Sequence, residues 1–323
     1  MKISLITPAA KQSRTGNRTT AYRWAGILRS LGHRVGVAVE YADEPADLMV
    51  ALHAWRSAGS IERFHAHHPE RPLVVALTGT DIYSFIHTHR DTTLRSLDLA
   101  HRLVGLHELV PDAVPKPYHD KIRIIYQSAP PLRRRMPPLR NAFEVLVIGH
   151  LREEKDPLRA AEAVRRLPSD SRVRVVHLGA ARERSWAKRA RAEMAANPRY
   201  VWRGEVPGWK VRQASARAAL MVLSSIMEGG ANVISEAVMA GLPVIASEIA
   251  GSVGLLGRDY PGYYPVGDSA ALARQLWRAE QEPDFLNELR QHCAARADLF
   301  DPARERKSWR QLIDRLAAGE RAH

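Results

Sequence analysis

The sequence predicts an α/β protein made of two doubly wound domains, each built on a parallel sheet. Short apolar runs alternate with stretches of helical periodicity, and the runs lack polar alternation, which is typical of parallel strands buried on both faces. This alternation starts at Ile3–Ile6 and starts afresh at Phe143–Gly149. A single core rarely grows beyond about 250–300 residues, and the chain has 323 residues.

Residues 1–138 are predicted to form the first domain. Its first helical pattern runs from Ala21 to Leu31, after a loop at residues 7–19. Seven of the 20 prolines lie between Pro111 and Pro138. Because proline lacks the amide proton that a central strand needs, we expect a linker near 111–138. The predicted strands are Ile3–Ile6, Val35–Val39, Leu48–Leu52, Leu73–Leu77, Leu103–Leu106 and Ile122–Tyr126.

Residues 139–300 are predicted to form the second domain, and residues 301–323 a C-terminal helix that packs back across the domains. The helix would present one apolar face, formed by Trp309, Leu312, Ile313 and Leu316. Two doubly wound domains would hold a ligand in the cleft between them, outside the carboxyl ends of the strands. The predicted strands are Phe143–Gly149, Arg172–Leu178, Tyr200–Trp202, Leu220–Ser224 and Val244–Ser247, and helices are predicted at Pro157–Leu167 and through Ala195.

The formal net charge of +13 needs an explanation. It suits nucleic acid or small polyanionic substrates. Because the cations are scattered over both halves and no basic strand is interleaved with aromatic residues, nucleic acid is kept as an alternative and not predicted as a partner.

The single cysteine, Cys293, suits a reducing cytoplasm. No apolar run approaches about 20 residues, and no signal peptide is recognisable, so we expect a cytoplasmic protein without stable membrane insertion. The oligomeric state stays open.

The strongest candidate site lies at residues 224–247. A strand is predicted to end near Ser224 and a helix to begin near Gly230, so the amides of Gly229 and Gly230 can approach an anion at the helix N-terminus. Glu228 and Glu236 offer carboxylates that accept paired hydrogen bonds from vicinal hydroxyls, such as those of a ribose. An ordinary turn with two surface glutamates is the alternative.

This run resembles the E-x7-E segment of glycosyltransferase family 4. The resemblance implies the GT-B architecture, two Rossmann-like domains facing a cleft, and retaining sugar transfer from a nucleotide donor without an essential metal or other cofactor. Glu228 would then contact the transferred sugar and Glu236 the ribose. The phosphates and sugar would be bound by Gly229, Gly230, Ala231 and Asn232, and the base by the loop containing Arg203, Gly204, Glu205 and Val206.

The segment from Phe143 to Asp156 resembles the family's G-R-L-x-x-x-K-G motif. Lys155 matches the lysine that would neutralise the departing pyrophosphate. His150 stands where the family usually has arginine, so either Arg152 or a protonated His150 would replace that guanidinium. For Arg152, a solvated position at the start of a helix is the alternative.

Three further segments follow predicted strands of the first domain and are candidates for binding the acceptor. The loop at residues 11–20 supplies Lys11, Arg14, Gly16, Asn17 and Arg18. Its three cations indicate an anionic acceptor, with solvated loop charges as the alternative. The other candidates are His53, Thr78, Gly79, Thr80 and Asp81. Asp81 is equally suited to capping a helix. The histidine spacing completes no metal site, so no metal is predicted.

A narrower resemblance concerns residues 7–21, 76–81 and 149–152, which look like those of the selenosugar synthases of selenoneine biosynthesis. It implies small-molecule substrates, UDP-N-acetylglucosamine as donor and selenophosphate as acceptor, joined through a carbon–selenium bond. Selenophosphate is anionic and already nucleophilic, which suits the cationic loop. An ordinary family 4 transferase with a saccharide or lipid acceptor, and an epimerase of UDP-sugars, remain alternatives.

Overall fold

The computed structural model describes residues 1–9, 16–132, 134–137 and 139–319, which fall into two compact units. Unit 1 contains Met1–Ser128, Glu228–Asn232 and the chain from Asp301. Unit 2 contains Ala129–Met227 and Val233–Phe300. Each unit is an α/β body with one six-stranded parallel sheet, so the predicted fold class is confirmed.

The sheet of unit 1 has the strand order β2-β1-β3-β4-β5-β6. Its register places Leu5 between Val37 of β2 and Val50 of β3. The side chains of β3 and β4 are buried throughout, as their apolar runs predict. The strands are β1 Lys2–Ile6, β2 Arg34–Ala38, β3 Leu48–Leu52, β4 Leu73–Ala76, β5 Arg102–Gly105 and β6 Ile122–Ile124.

The sheet of unit 2 has the order β12-β11-β10-β7-β8-β9. Val147 of β7 pairs with Val222 of β10 on one side and with His177 of β8 on the other. The strands are β7 Phe143–Ile148, β8 Val173–Leu178, β9 Tyr200–Trp202, β10 Leu220–Leu223, β11 Val244–Ser247 and β12 Tyr263–Tyr264.

Helices connect these strands. Those with described bounds in unit 1 are α1 Gly16–Ser30, α2 Ala58–His67, α3 Ile86–Thr88, α4 Arg90–Leu99 and, near the end of the chain, α12 Pro302–Ala317. Those that follow β7 are α5 Arg159–Val164, α6 Arg184–Ala196, α7 Gly208–Arg217, α8 Asn232–Met239, α9 Ala250–Leu256, α10 Ser269–Gln281 and α11 Pro283–Ala295. Within the described part of the chain, no helix is both long and apolar enough to cross a membrane.

The core of unit 1 has two layers, one on each face of its sheet. Phe64 of α2 and Leu97 of α4 pack in one layer. The other layer joins α1 to α12, where the buried rings of Trp24 and Trp309 lie 4.8 Å apart in an edge-to-face arrangement. The predicted apolar face of the last helix is confirmed, because Trp309, Leu312, Ile313 and Leu316 are all buried there.

Three segments differ from the sequence prediction. Strand β12, Tyr263–Tyr264, was not predicted, because two residues are too few to form a recognisable apolar run. Helix α1 begins at Gly16 and not at Ala21, so placing Gly16, Asn17 and Arg18 in a loop was wrong. The reason is that this first turn is polar and carries no apolar periodicity, although Arg18 is buried. The stretch predicted as a linker contains β6 and two 3₁₀ turns, Val110–Ala113 and Lys116–Lys121, in which proline stands at the first or second position.

Candidate active site

The sheet of unit 2 reverses its winding at β7, which lies between β10 and β8. The loops that follow β7 and β10 therefore diverge and leave a crevice at their carboxyl ends, the usual ligand site of such sheets. A small pocket lies at this point, and its lining includes Gly149, His150, Lys155, His177, Ser224 and Ser225. Two of the predicted donor-side residues, His150 and Lys155, are thus brought together.

The turn that carries Lys155 is anchored on the end of β10. Ser224 Oγ donates to the carbonyl oxygens of Lys155 and Asp156 over 3.0 and 2.9 Å, and the amide of Ile226 donates to the carbonyl of Glu154 over 2.9 Å. The Lys155 side chain runs over Gly149, since a Cβ added at Gly149 would lie 4.0 Å from Lys155 Cδ. The lysine is therefore fixed beside the pocket by its backbone.

His150 and Arg152 differ in what they can offer an anion. The amide of Ala180 donates to His150 Nδ1 over 3.1 Å, which leaves the proton of the neutral ring on Nε2. His150 can thus donate a hydrogen bond from its neutral ring, without carrying a positive charge. Arg152 is 42% exposed and lies 3.8 Å from the Glu154 carboxylate, and it does not line the pocket.

Beneath the pocket, a buried histidine that sequence reasoning missed supports the turn after β7. His177 donates from Nε2 to the carbonyl oxygen of Gly149 over 3.0 Å, and its Nδ1 accepts from the Tyr200 hydroxyl over 3.0 Å. Burial lowers the pKa of His177 to about 4, so the ring is neutral at pH 7. The available signal was a single histidine within the apolar run of β8.

Gly179 allows the turns after β7 and β8 to touch. Its φ is +155°, and an added Cβ would lie 1.9 Å from the carbonyl oxygen of Gly149, so only glycine fits. Sequence reasoning also missed this residue.

The turn predicted to bind the base lies at the end of β9. Gly204, at φ +69°, accepts from the amide of Gly179 over 2.8 Å, and Trp202 Nε1 donates to the carbonyl of Gly179 over 2.7 Å. All four predicted donor-side residues of this turn are exposed or half-buried, namely Arg203, Gly204, Glu205 and Val206. Glu236 is exposed on α8.

Within unit 1, the segment Glu228–Asn232 packs against the ends of β4 and β5. A Cβ on Gly229 would lie 2.2 Å from the carbonyl carbon of Thr78, and one on Gly230 would lie 2.6 Å from Leu106 Cβ. Gly79, at φ +120°, has the reciprocal contact with the amide of Gly229. The two glycines predicted to approach an anion are thus also required for backbone packing. Glu228 is half-buried and Ala231 buried.

Asp81 is hydrogen-bonded to backbone amides of its own unit. Its carboxylate is fully buried and accepts from the amides of Thr78, Gly79, Ala54 and Ile82 over 3.0, 2.7, 3.1 and 3.2 Å. A carboxylate that is satisfied by four backbone amides holds the loop at Thr78–Thr80 in place. Asp81 is the first residue of the helical turn Asp81–Phe85, whose N-cap is Thr80, so its carboxylate braces the preceding loop and does not cap the helix. Its contact with an acceptor stays a prediction.

His53 is buried at the end of β3 with φ +76°, a conformation that is rare outside glycine. Its Nδ1 accepts from the amide of Arg56 over 3.2 Å, so Nε2 carries the proton and donates to Thr80 Oγ1 over 2.9 Å. Burial lowers the pKa of His53, although the Asp81 charge opposes this effect. The Thr80 hydroxyl accepts from His53 and keeps its own proton to donate.

The remaining acceptor candidates lie at or before the start of α1. Gly16 and Asn17 form its first turn. Arg18 is buried, donates to the carbonyl of Ala9 over 3.4 Å and to the Tyr22 hydroxyl, and stacks on the Tyr22 ring. Lys11 and Arg14 lie outside the described residues. Across the described ranges, no three His, Cys, Asp or Glu side chains are grouped so as to hold a metal ion.

Two units, each with one six-stranded parallel sheet, and a pocket at the carboxyl ends of the second sheet are the features of the GT-B fold. Residues 132–299, more than half of the chain, match the family described as glycosyl transferases group 1. The chain belongs to this family, and the predicted glycosyltransferase class is confirmed. No curated protein matches the sequence.

Several solved structures share the fold. Anabaena Alr3699/HepE in complex with UDP-glucose has a TM-score of 0.78 and 18% identity, over 98% of this chain and 100% of that one. Sucrose-phosphate synthase from Thermosynechococcus elongatus has a TM-score of 0.80 and 16% identity, over 99% and 100%. A glycosyltransferase from Rickettsia africae has a TM-score of 0.73 and 14% identity, over 99% and 99%.

Proposed function

We propose that the protein transfers N-acetylglucosamine from UDP-N-acetylglucosamine to selenophosphate and forms a carbon–selenium bond. One observation carries the choice of acceptor. The two candidate bases of unit 1, His53 and Asp81, are both engaged by the protein, Asp81 with four amides and His53 through both ring nitrogens. An acceptor that is already nucleophilic needs no base.

The donor would be bound mainly through phosphate contacts. Lys155 and His150 line the pocket; Lys155 would neutralise the departing UDP, and the Nε2–H of His150 would donate to it. Arg152, which does not line the pocket, is the other candidate to replace the family's guanidinium. The amides of Gly229–Ala231 precede the N-terminus of α8 and would add to that charge stabilisation. Glu228 would accept from sugar hydroxyls, Glu236 from the ribose, and residues 203–206 would contact the base. The UDP-glucose complex of the similar HepE structure supports a UDP-sugar as donor.

The acceptor would be held by positive potential and by directed donors. The first turn of α1 contains no acidic residue, and its N-terminus favours an anion. Arg18, together with Lys11 and Arg14 of the preceding segment, adds cationic charge. Thr80 can donate its hydroxyl proton to the acceptor, because His53 already donates to Thr80 Oγ1.

The proposed step balances without a proton transfer. A selenium lone pair forms the bond to the anomeric carbon, while the bond between that carbon and the β-phosphate oxygen breaks. The electron pair of the broken bond leaves with UDP, whose added charge Lys155 would stabilise.

A saccharide acceptor is the second candidate, and one observation favours it. Trp55 stacks on Phe85 with ring centroids 4.3 Å apart, and His89 lies 4.5 Å from Trp55. These half-buried or exposed rings lie next to His53, whose ring is 5.6 Å from Phe85. Aromatic rings of this kind suit the apolar face of a sugar.

The test offers UDP-N-acetylglucosamine with selenophosphate, with a panel of mono- and disaccharides, or alone, and analyses the products by mass spectrometry. We expect a sugar product with the selenium isotope pattern, scored with and without a phosphoryl group, together with UDP in equal amount. Product formed only with saccharides would replace the proposal with the second candidate. An isomerised donor formed without acceptor would identify an epimerase and overturn both.

A further inference from the structure

We propose that Arg23 is a positioning residue for the donor phosphates, and that it acts through Asn232. Arg23 lies on α1 and Asn232 is the first residue of α8. Arg23 Nη1 donates to Asn232 Oδ1 over 2.9 Å. The inference rests on the proposed function for its readout, because it concerns the turn Gly229–Ala231 that would bind the donor.

Both ends of the Asn232 side chain are bound by α1. Its Oδ1 accepts from Arg23, and its Nδ2 donates to Thr20 Oγ1 over 3.4 Å. Both polar atoms of the side chain are therefore bound to α1, which fixes the position of Asn232 and of its backbone amide. The sequence analysis places Asn232 among the donor-binding residues, and we add that its side chain fixes one end of the amide-bearing turn.

Arg23 is itself held at two further points. Nη2 donates to Gln127 Oε1 over 2.8 Å, and Nε lies 3.2 Å from Glu305 Oε2. Thr20 Oγ1 also donates to Gln127 Oε1, over 3.2 Å. The planar guanidinium thus contacts three different side chains at once, in a geometry that a lysine cannot reproduce.

Glu305 gives Arg23 a fixed counter-charge. The carboxylate is buried and accepts from Trp24 Nε1 over 2.7 Å and from the amide of Ser128 over 2.9 Å. The Ser128 hydroxyl also donates to it, so three other donors hold the carboxylate opposite Arg23. The chain Glu305–Arg23–Asn232 therefore connects a rigid buried group to the turn at Gly229–Ala231.

The expected consequence is electrostatic. Backbone amides stabilise a phosphate only when they point at it, and an error of about 1 Å costs much of that effect. Releasing Asn232 would leave the amides present but no longer oriented. Affinity for UDP should fall, while affinity for the acceptor should not.

The test compares Arg23→Lys, Asn232→Ala and the double variant with the wild type. Lysine keeps the charge opposite Glu305, so Arg23→Lys should fold. We expect each single variant to weaken UDP binding, measured by calorimetry, by about tenfold and to lower kcat/KM for the donor by the same factor. This is the effect of losing one charge-assisted hydrogen bond. The acceptor KM should stay unchanged, and the double variant should be no worse than either single one. Arg310→Lys, at an exposed arginine of α12, is the matched control.

Wild-type affinity for UDP in both single variants would overturn the inference, as would additive effects in the double variant. If Arg23→Lys fails to fold, Asn232→Ala carries the test alone by the same UDP measurement. A wild-type protein that binds no UDP and turns over no UDP-sugar would instead contradict the proposed function, so the two failures are distinguishable.

Discussion

His177 donates a hydrogen bond from Nε2 to the carbonyl oxygen of Gly149 over 3.0 Å. The turn that leads to His150 and the phosphate side of the pocket therefore rests on a buried imidazole. The ring is neutral because burial lowers its pKa to about 4. Charging His177 would place an uncompensated cation beneath the pocket.

The stability of the protein should decrease as the pH is lowered, because His177 has a lowered pKa. A histidine whose pKa is about 6.5 unfolded and about 4 folded stabilises the protein fully above pH 6.5, and loses that contribution as the pH falls toward 4. We expect His177 to account for a loss of about 2 kcal/mol between pH 7 and pH 5. Urea denaturation at the two pH values measures it. His177→Gln keeps a donor for the Gly149 carbonyl, and its unfolding free energy should fall by about 2 kcal/mol less than that of the wild type between the two pH values. An equal fall in both proteins would contradict the assignment.

Gly179→Ala should damage the same turn sterically. The added Cβ would lie 1.9 Å from the Gly149 carbonyl oxygen, so one of the two turns must move. We expect a loss of stability of at least about 2 kcal/mol, with weaker UDP binding. Gly208→Ala, in the same unit with nothing within 4 Å of the added carbon, is the control and should be nearly neutral. Equal effects of the two substitutions would refute the steric argument.

Lys155→Ala should remove the cation beside the departing pyrophosphate. We expect turnover to fall at least about a hundredfold, as for the loss of one oxyanion-stabilising group. Steady-state kinetics with UDP-N-acetylglucosamine measures it. Lys188→Ala, at an exposed lysine of α6, should retain wild-type turnover. A Lys155→Ala rate equal to that of the control would remove Lys155 from the mechanism.

Thr80 should act through its hydroxyl. Thr80→Ser keeps the acceptor for His53 and the donated proton, whereas Thr80→Val removes both and leaves the buried Nε2–H of His53 without its partner. We expect Thr80→Val to lower kcat/KM for the acceptor by about tenfold and Thr80→Ser to stay close to wild type. Donor KM should not change. Thr88→Val, at an exposed threonine of α3, serves as control, and a silent Thr80→Val would exclude this role.

The strands were predictable because parallel strands are buried on both faces and therefore appear as unbroken apolar runs. The runs at Leu48–Leu52 and Tyr200–Trp202 coincide with β3 and β9, and the family resemblance carried by Glu228 and Glu236 agrees with the matched family. The apolar face of α12 was visible for the same reason, since burial of a helix leaves a 3.6-residue period.

What the sequence could not supply was the partner of each polar group. The carboxylate of Asp81 could equally have faced a ligand or the backbone, and only the fold places four amides around it. The start of α1 was missed because its first turn, Gly16–Thr19, is polar. The domain boundary near residue 138 and the roles of the site residues stay predictions.

The edge-to-face pair of Trp24 and Trp309 has a consequence for synthesis on the ribosome. Trp24 is translated early, but α12, which covers it, emerges only after the whole of unit 2. The unit that holds the amino terminus therefore completes its core last, opposite to the usual order in which amino-terminal domains fold first. Until then the nascent chain displays the apolar side of α1, so premature termination before Pro302 would release an aggregation-prone polypeptide.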